Sequence, residues 1–140
     1  MINITDIQYG WATLHLGYCS FDGSYLTDIR ADLDELFNLK KDYEVNKIII
    51  EGEGQGDLSL VAHLTFEDVN KYLKERDKRD EENKYDYVIN ILWQRLYNPE
   101  ENTFCLLKFP YKEFLEEWKV LKKNIKEVYE RDFLMNIERN

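Results

Sequence analysis

Cysteine, histidine, serine, proline and glycine are all scarce in this chain, and each scarcity removes a class of explanation. Two cysteines, Cys19 and Cys105, are too few for a disulfide-built scaffold, and they form no C-x-x-C unit of the kind that holds zinc. Both are expected as free thiols in a reducing cytosol. The only histidines, His15 and His63, sit inside predicted strands without an HExxH or HxH pattern, so no metal or cofactor is expected. Ser20, Ser24 and Ser59 are the only serines, and none stands in a G-x-S-x-G elbow, which leaves no recognisable catalytic nucleophile. Two prolines and six glycines supply no low-complexity linker, so one domain over residues 1–140 is expected. No apolar run approaches the roughly eighteen residues of a membrane span. Residues 1–6 show neither a basic nor a long apolar leader segment. A cytoplasmic protein without a membrane partner is the expectation.

Positive charge is also in deficit. Nineteen Lys and Arg face twenty-eight Asp and Glu, a net charge of −9. The imbalance is local: residues 1–64 hold eleven acids against four bases, whereas residues 104–140 hold seven against eight. Charge reports on partners rather than fold, and this distribution excludes nucleic acid, which needs a concentrated basic surface. Lys112, Lys119, Lys122, Lys123 and Lys126 do not provide one, because Glu113, Glu116, Glu117, Glu127 and Glu130 interleave with them.

Apolar material is plentiful. Hydrophobic residues make up 44% of the chain and include twenty aromatics, enough for a sizeable core. Residues 2–9 and 11–18 read as a hairpin about Gly10, with Ala12, Leu14, Leu16 and Tyr18 on one face and Trp11, Thr13 and His15 on the other. Phe21-Asp22-Gly23-Ser24 reads as turn chemistry. The spacing of Ile29, Leu33, Leu36 and Phe37 predicts a helix over 28–39 with Thr27 as N-cap. Val45–Glu51, with its Ile48-Ile49-Ile50 run, reads as a buried strand, and Leu58–Leu64 as its hairpin partner. Phe66, Val69, Tyr72 and Leu73 have helical spacing after a Thr65/Asp68 capping pair, which predicts a helix at the start of 66–83 and a charged helix end or loop beyond Arg76. Tyr85–Leu96 is apolar on both faces, as a central strand is, and pairs with Thr103–Lys108. From Pro110 onward, Tyr111, Phe114, Leu115, Trp118, Leu121, Ile125, Val128 and Tyr129 form one helical stripe. The order β-β-α-β-β-(α)-β-β-α predicts an α+β fold, a mainly antiparallel sheet of hairpins with two or three helices on one face.

The Gly52/Gly54/Gly56 loop is not a phosphate loop. Its spacing is G-x-G-x-G, no Lys-Ser or Lys-Thr follows, and Glu51, Glu53 and Asp57 repel an anion. The same carboxylates lack the D-x-[DN]-x-[DN]-G order of a calcium loop. What remains is acidity itself. Asp28, Asp32 and Glu35 form a helical stripe with Asp34 beside it, and the 51–57 loop adds Glu51, Glu53 and Asp57. Like charges at that spacing cost a few tenths of a kcal/mol per pair, so the stripe opposes helix stability slightly. A negative surface of this kind steers a basic protein partner.

Trp11-Ala12, Ser24-Tyr25-Leu26, Asp28 and the Leu33/Leu36 spacing resemble a loosely defined group of small bacterial proteins without an assigned activity. The resemblance covers about the first forty residues and implies an α+β fold, with no catalytic residues to carry over. By size and charge the chain is analogous to acidic immunity proteins that neutralise a basic toxin. A non-enzymatic protein-binding module is therefore the leading expectation. The alternatives are a small-molecule binder or enzyme with a pocket lined by Trp11, Tyr18, Tyr87, Trp93 and Trp118, and a structural homo-oligomer.

Overall fold

The computed structural model describes residues 1–24, 29–40, 43–52, 56–73, 82, 84–96 and 104–139. Over the described residues it is an α+β fold of two antiparallel sheets and two α-helices. The first sheet orders β1 (Ile2–Gln8), β2 (Trp11–Leu16) and β3 (Cys19–Ser24) side by side. Strand alternation sends Ile2, Ile4, Ala12, Leu14, Leu16 and Phe21 into the core. The β1–β2 turn holds Tyr9 at φ 53° and Gly10 at φ 83°, the pair of positive values that a two-residue type I′ hairpin needs. Tyrosine is strained there, and the Asp132 carboxylate offsets the strain by accepting both turn N–H groups, Tyr9 at 2.9 Å and Gly10 at 3.3 Å.

The second sheet orders β4 (Val45–Ile50), β5 (Asp57–Asp68), β6 (Tyr85–Leu96) and β7 (Phe104–Pro110). Its inner face carries Ile50, Leu58, Leu60, Ala62, Leu64, Ile89, Ile91, Trp93 and Leu107, all buried. Strand β3 lies across that face. Its inward residues meet different strands in turn: Cys19 meets Cys105 of β7, Phe21 lies under Arg95 of β6, and Gly23 faces Ile50 of β4. The two sheets thus cross steeply and share one core.

Both helices pack on this inner side. Helix α1 (Arg30–Phe37) buries Leu33, Leu36 and Phe37, and is tied to β4 by the Asn46 amide, which donates to the carbonyls of Glu35 and Leu36. Helix α2 (Tyr111–Arg139) buries Phe114, Trp118, Ile125 and Tyr129. It runs alongside β1: Glu117 accepts the Ile2 N–H at 2.8 Å, and Asp132 holds the turn at the other end of the strand. The lengths agree, since fifteen helical residues span roughly 22 Å and seven strand steps roughly 23 Å.

One hydroxyl closes α1. Tyr111 donates to the Phe37 carbonyl at 2.6 Å, with the Leu39 carbonyl at 3.1 Å, and accepts the Leu39 N–H at 3.0 Å. Burial raises its pKa above the ordinary tyrosine value. Tyr111→Phe removes this hydroxyl and leaves the Leu39 N–H with only its bond to the Phe37 carbonyl, at 3.0 Å; it should lower unfolding free energy by about 1 kcal/mol, read by urea titration.

The expected class holds, while three local readings change. Residues 19–24 form a strand, because Cys19 to Ser24 pair with Leu16 to Trp11 of β2 after a two-residue turn in which Gly17 has φ 57°. Phe66 and Asp68 belong to β5, opposite Tyr87 and Tyr85, and the described residues that follow make a 3₁₀ turn at Val69–Tyr72, capped by Asp68. Residues 74–81 and 83 of that predicted segment, and Thr27 and Asp28 of the first helix, lie outside the described residues. Finally, β4 is an edge strand: of its isoleucine run Ile50 is buried, the inward Ile48 is half-buried against the core, and the outward Ile49 is open.

Candidate functional site

The acidic residues take separate structural roles. Asp32 and Glu35 are exposed on α1, and Glu51 is exposed just past β4. Asp34 instead turns toward α2, where it accepts the Trp118 indole N–H at 2.7 Å and pairs with Lys122 at 2.8 Å. With both partners of that ion pair more than a third exposed, its contribution is small and the indole bond is the firmer tie. Asp57 accepts the Gly52 N–H at 3.4 Å, closing the connection between β4 and β5. Asp28 and Glu53 lie outside the described residues.

The outer face of the four-stranded sheet carries a feature that linear charge could not show. Register places Lys47, Val61, Leu92 and Leu106 in one row across the four strands, and Ile49, Ser59, Gln94 and Phe104 in the next. Val45 precedes these rows and Leu96 follows them. Five of these side chains are strongly open to solvent: Val45 64%, Ile49 51%, Leu96 36%, Phe104 71% and Leu106 50%. Three strand gaps of ~4.8 Å and three same-face steps of ~6.8 Å make a patch of about 14 by 20 Å. Open apolar side chains gathered on one sheet face mark an interaction site more often than chance exposure does. Lys47, Asp57 and Lys108 are the fixed charges on these rows.

At the opposite end the same face is covered. The 3₁₀ turn buries Val69 and Leu73 beside Val88, and a polar network sits beneath it. The buried Asn90 amide donates to Thr65 Oγ1 at 2.9 Å, and Thr65 donates to Glu67 at 2.6 Å. Tyr72 donates to the other Glu67 oxygen at 2.5 Å, and Lys108 stands 3.4 Å away. The Thr65 and Tyr72 hydroxyls, then Lys108, hold the Glu67 carboxyl down to about 2, while bonding to Glu67 pushes the Tyr72 hydroxyl up to about 12. Because the folded value of Glu67 lies below its ordinary 4.5, its stabilisation is present above that pH and disappears as pH falls from about 4.5 toward 2. Glu67→Gln should therefore lower stability at pH 7 and flatten the acid limb of a stability–pH curve in that window.

A groove of about 670 Å³ opens beside this network, walled by Tyr18, Tyr72, Leu106 and Lys108, and a second of about 460 Å³ lies between Asp34, Tyr111 and Lys122. The five aromatics considered for a pocket do not converge: Trp93 and Trp118 are core residues, whereas Trp11, Tyr18 and Tyr87 are exposed. His15 is bonded to Thr5 at 2.7 Å on the outside of the first sheet, and His63 lies on the outer face of the second. Among the described residues no three His, Cys, Asp or Glu side chains gather closely enough to hold a metal ion. The glycine loop has a steric cause. A Cβ on Gly52 would stand 2.1 Å from the Gly56 carbonyl oxygen and 2.9 Å from the Phe21 ring.

Compared with known proteins, the chain matches no family model, no curated sequence and no solved structure.

Proposed function

We propose that this chain is a non-enzymatic protein-binding module that docks a basic protein through the outer face of its four-stranded sheet. The observation that carries this reading is the set of open apolar side chains, Val45, Ile49, Leu96, Phe104 and Leu106, that share one face of the sheet. Such a patch supplies the water-excluding centre of an interface, and the polar rim supplies steering. Asp32 and Glu35 are exposed on α1, which packs on the inner side of β4, so their charge acts on an approaching partner at a distance rather than within the contact. The net charge of −9 selects the occupant: it attracts a basic partner that presents its own apolar patch, and it repels a second copy. A toxin-neutralising immunity role is one instance of this class.

A small-molecule site has weaker support. The polar groups nearest the larger groove, Tyr72 and Lys108, are already committed to Glu67.

The test is affinity capture from a lysate of the source organism with three baits: the native chain, Ile49→Thr/Phe104→Thr, and Asp32→Asn/Glu35→Gln. The captured protein is then produced pure and titrated. The reading requires a basic protein whose binding weakens strongly with the first pair and becomes less salt-dependent with the second. Equal affinity for all three baits contradicts it, as does self-association of the native chain in sedimentation.

A further inference from the structure

The two cysteines are far apart in sequence and touch in space. Cys19 Sγ lies 2.9 Å from Cys105 Sγ, across 86 residues of chain, with both side chains only partly buried. That separation is inside the van der Waals contact distance of two sulfurs and about 0.9 Å longer than a disulfide bond. The surroundings hold the pair in place. Cys19 opens β3 directly after the Gly17–Tyr18 turn, and a Cβ on Gly17 would touch Leu107 and Phe109 of β7 at 3.4 Å. Cys105 is fixed opposite Trp93 by the β6–β7 register. The contact therefore joins two strands that belong to different sheets, each held by its own ladder.

We infer that Cys19 and Cys105 are a redox-responsive pair that closes to a disulfide when a small-molecule disulfide of the glutathione type is the oxidant. The two thiols give up two electrons and two protons, and the oxidant's S–S bond takes them to become two small thiols. The order of events follows from the pair's chemistry. Burial, then the bond to Cys105, pushes the Cys19 thiol up to about 12, so Cys19 is a poor first nucleophile. Cys105 attacks one sulfur of the oxidant and expels a thiolate, which leaves a mixed disulfide on Cys105. Cys19 then gives its proton to solvent base and attacks Cys105 Sγ, releasing the second small thiol. The product pins β3 to the β7 edge of the other sheet.

The crosslink does not depend on the docking reading. Its consequence does: Phe104 and Leu106 flank Cys105 on β7 and project from the opposite face, so closing the pair fixes the strand that carries two of the five docking residues.

The experiment uses the whole chain, treated with oxidised glutathione and then with dithiothreitol. Intact mass should fall by two hydrogen atoms, and alkylation under denaturing conditions should find no free thiol. Closing so long a loop should raise the melting temperature by about 10 °C, reversed by the reductant. Cys19→Ser should stop at a single mixed disulfide on Cys105 with no such rise. Two glutathione adducts on the native chain, or two thiols still open to alkylation, would overturn the inference. These readouts involve no partner, so a failure of docking would leave them unchanged.

Discussion

Gly52→Ala is expected to destabilise the protein by about 3 kcal/mol and to lower its melting temperature by roughly 10 °C. The added methyl would lie 2.1 Å from the Gly56 carbonyl oxygen, a main-chain atom that cannot rotate away, and 2.9 Å from the Phe21 ring. Phe21 is itself buried, and it is the middle of the three residues through which β3 crosses the second sheet. Relief must therefore come either from opening the β4–β5 connection or from shifting β3 against its neighbours. Gly17→Ala makes the right comparison, since its Cβ meets side chains at an ordinary 3.4 Å and its penalty is the strain of φ 57° alone. That second change should cost about 1 kcal/mol. Thermal unfolding of both variants checks the account, and equal losses would show that the Gly52 contact is not a constraint.

Ile49→Thr/Phe104→Thr is expected to weaken partner binding about 100-fold while leaving the unfolding free energy within about 1 kcal/mol of the parent. Truncating a hot-spot side chain costs upward of ~2 kcal/mol of binding, and these two stand at opposite ends of one register row, with Ser59 and Gln94 between them. The fold tolerates the change because the two side chains are 51% and 71% open to solvent, and threonine keeps the β-branched preference of a strand. Chemical denaturation and isothermal titration separate the two effects. Loss of stability in step with loss of binding would assign these residues to the core instead.

The parts of the fold governed by local period were readable from residues alone. The strict alternation of Ala12, Leu14 and Leu16 appears as a strand with those side chains buried, and the stripe from Phe114 to Tyr129 appears as one face of α2. Strand β3 escaped because Asp22-Gly23 has the chemistry of a turn. Its glycine serves close approach instead: a Cβ there would meet Phe21 at 3.1 Å and Ile50 at 3.4 Å. The Phe66–Leu73 spacing suited a helix, but pairing with Tyr85 and Tyr87 extended β5 through Asp68 before a single 3₁₀ turn.

The docking face was hidden for a different reason. Ile49 stands between two inward isoleucines, and Leu92 and Leu96 lie on the second apolar face of β6. Apolar residues on both faces of a strand are consistent with burial on both sides. Which side is left open depends on strand order and on where the helices pack, and neither is written in local spacing. The thiol pair was likewise invisible, since 86 residues separate its members and only the crossing of the sheets brings them together. Charge patterning did find the exposed Asp32 and Glu35, but it could not tell them from Asp34, which is held by Trp118 and Lys122.

The most direct test of the docking face is site-specific photocrosslinking from position 104 in a lysate of the source organism, with position 133 as an exposed control on α2. The account predicts one dominant adduct from position 104, to a basic protein, that is absent from position 133 and suppressed by Ile49→Thr. Adducts of equal yield from both positions, or an adduct to a second copy of the chain, would contradict it.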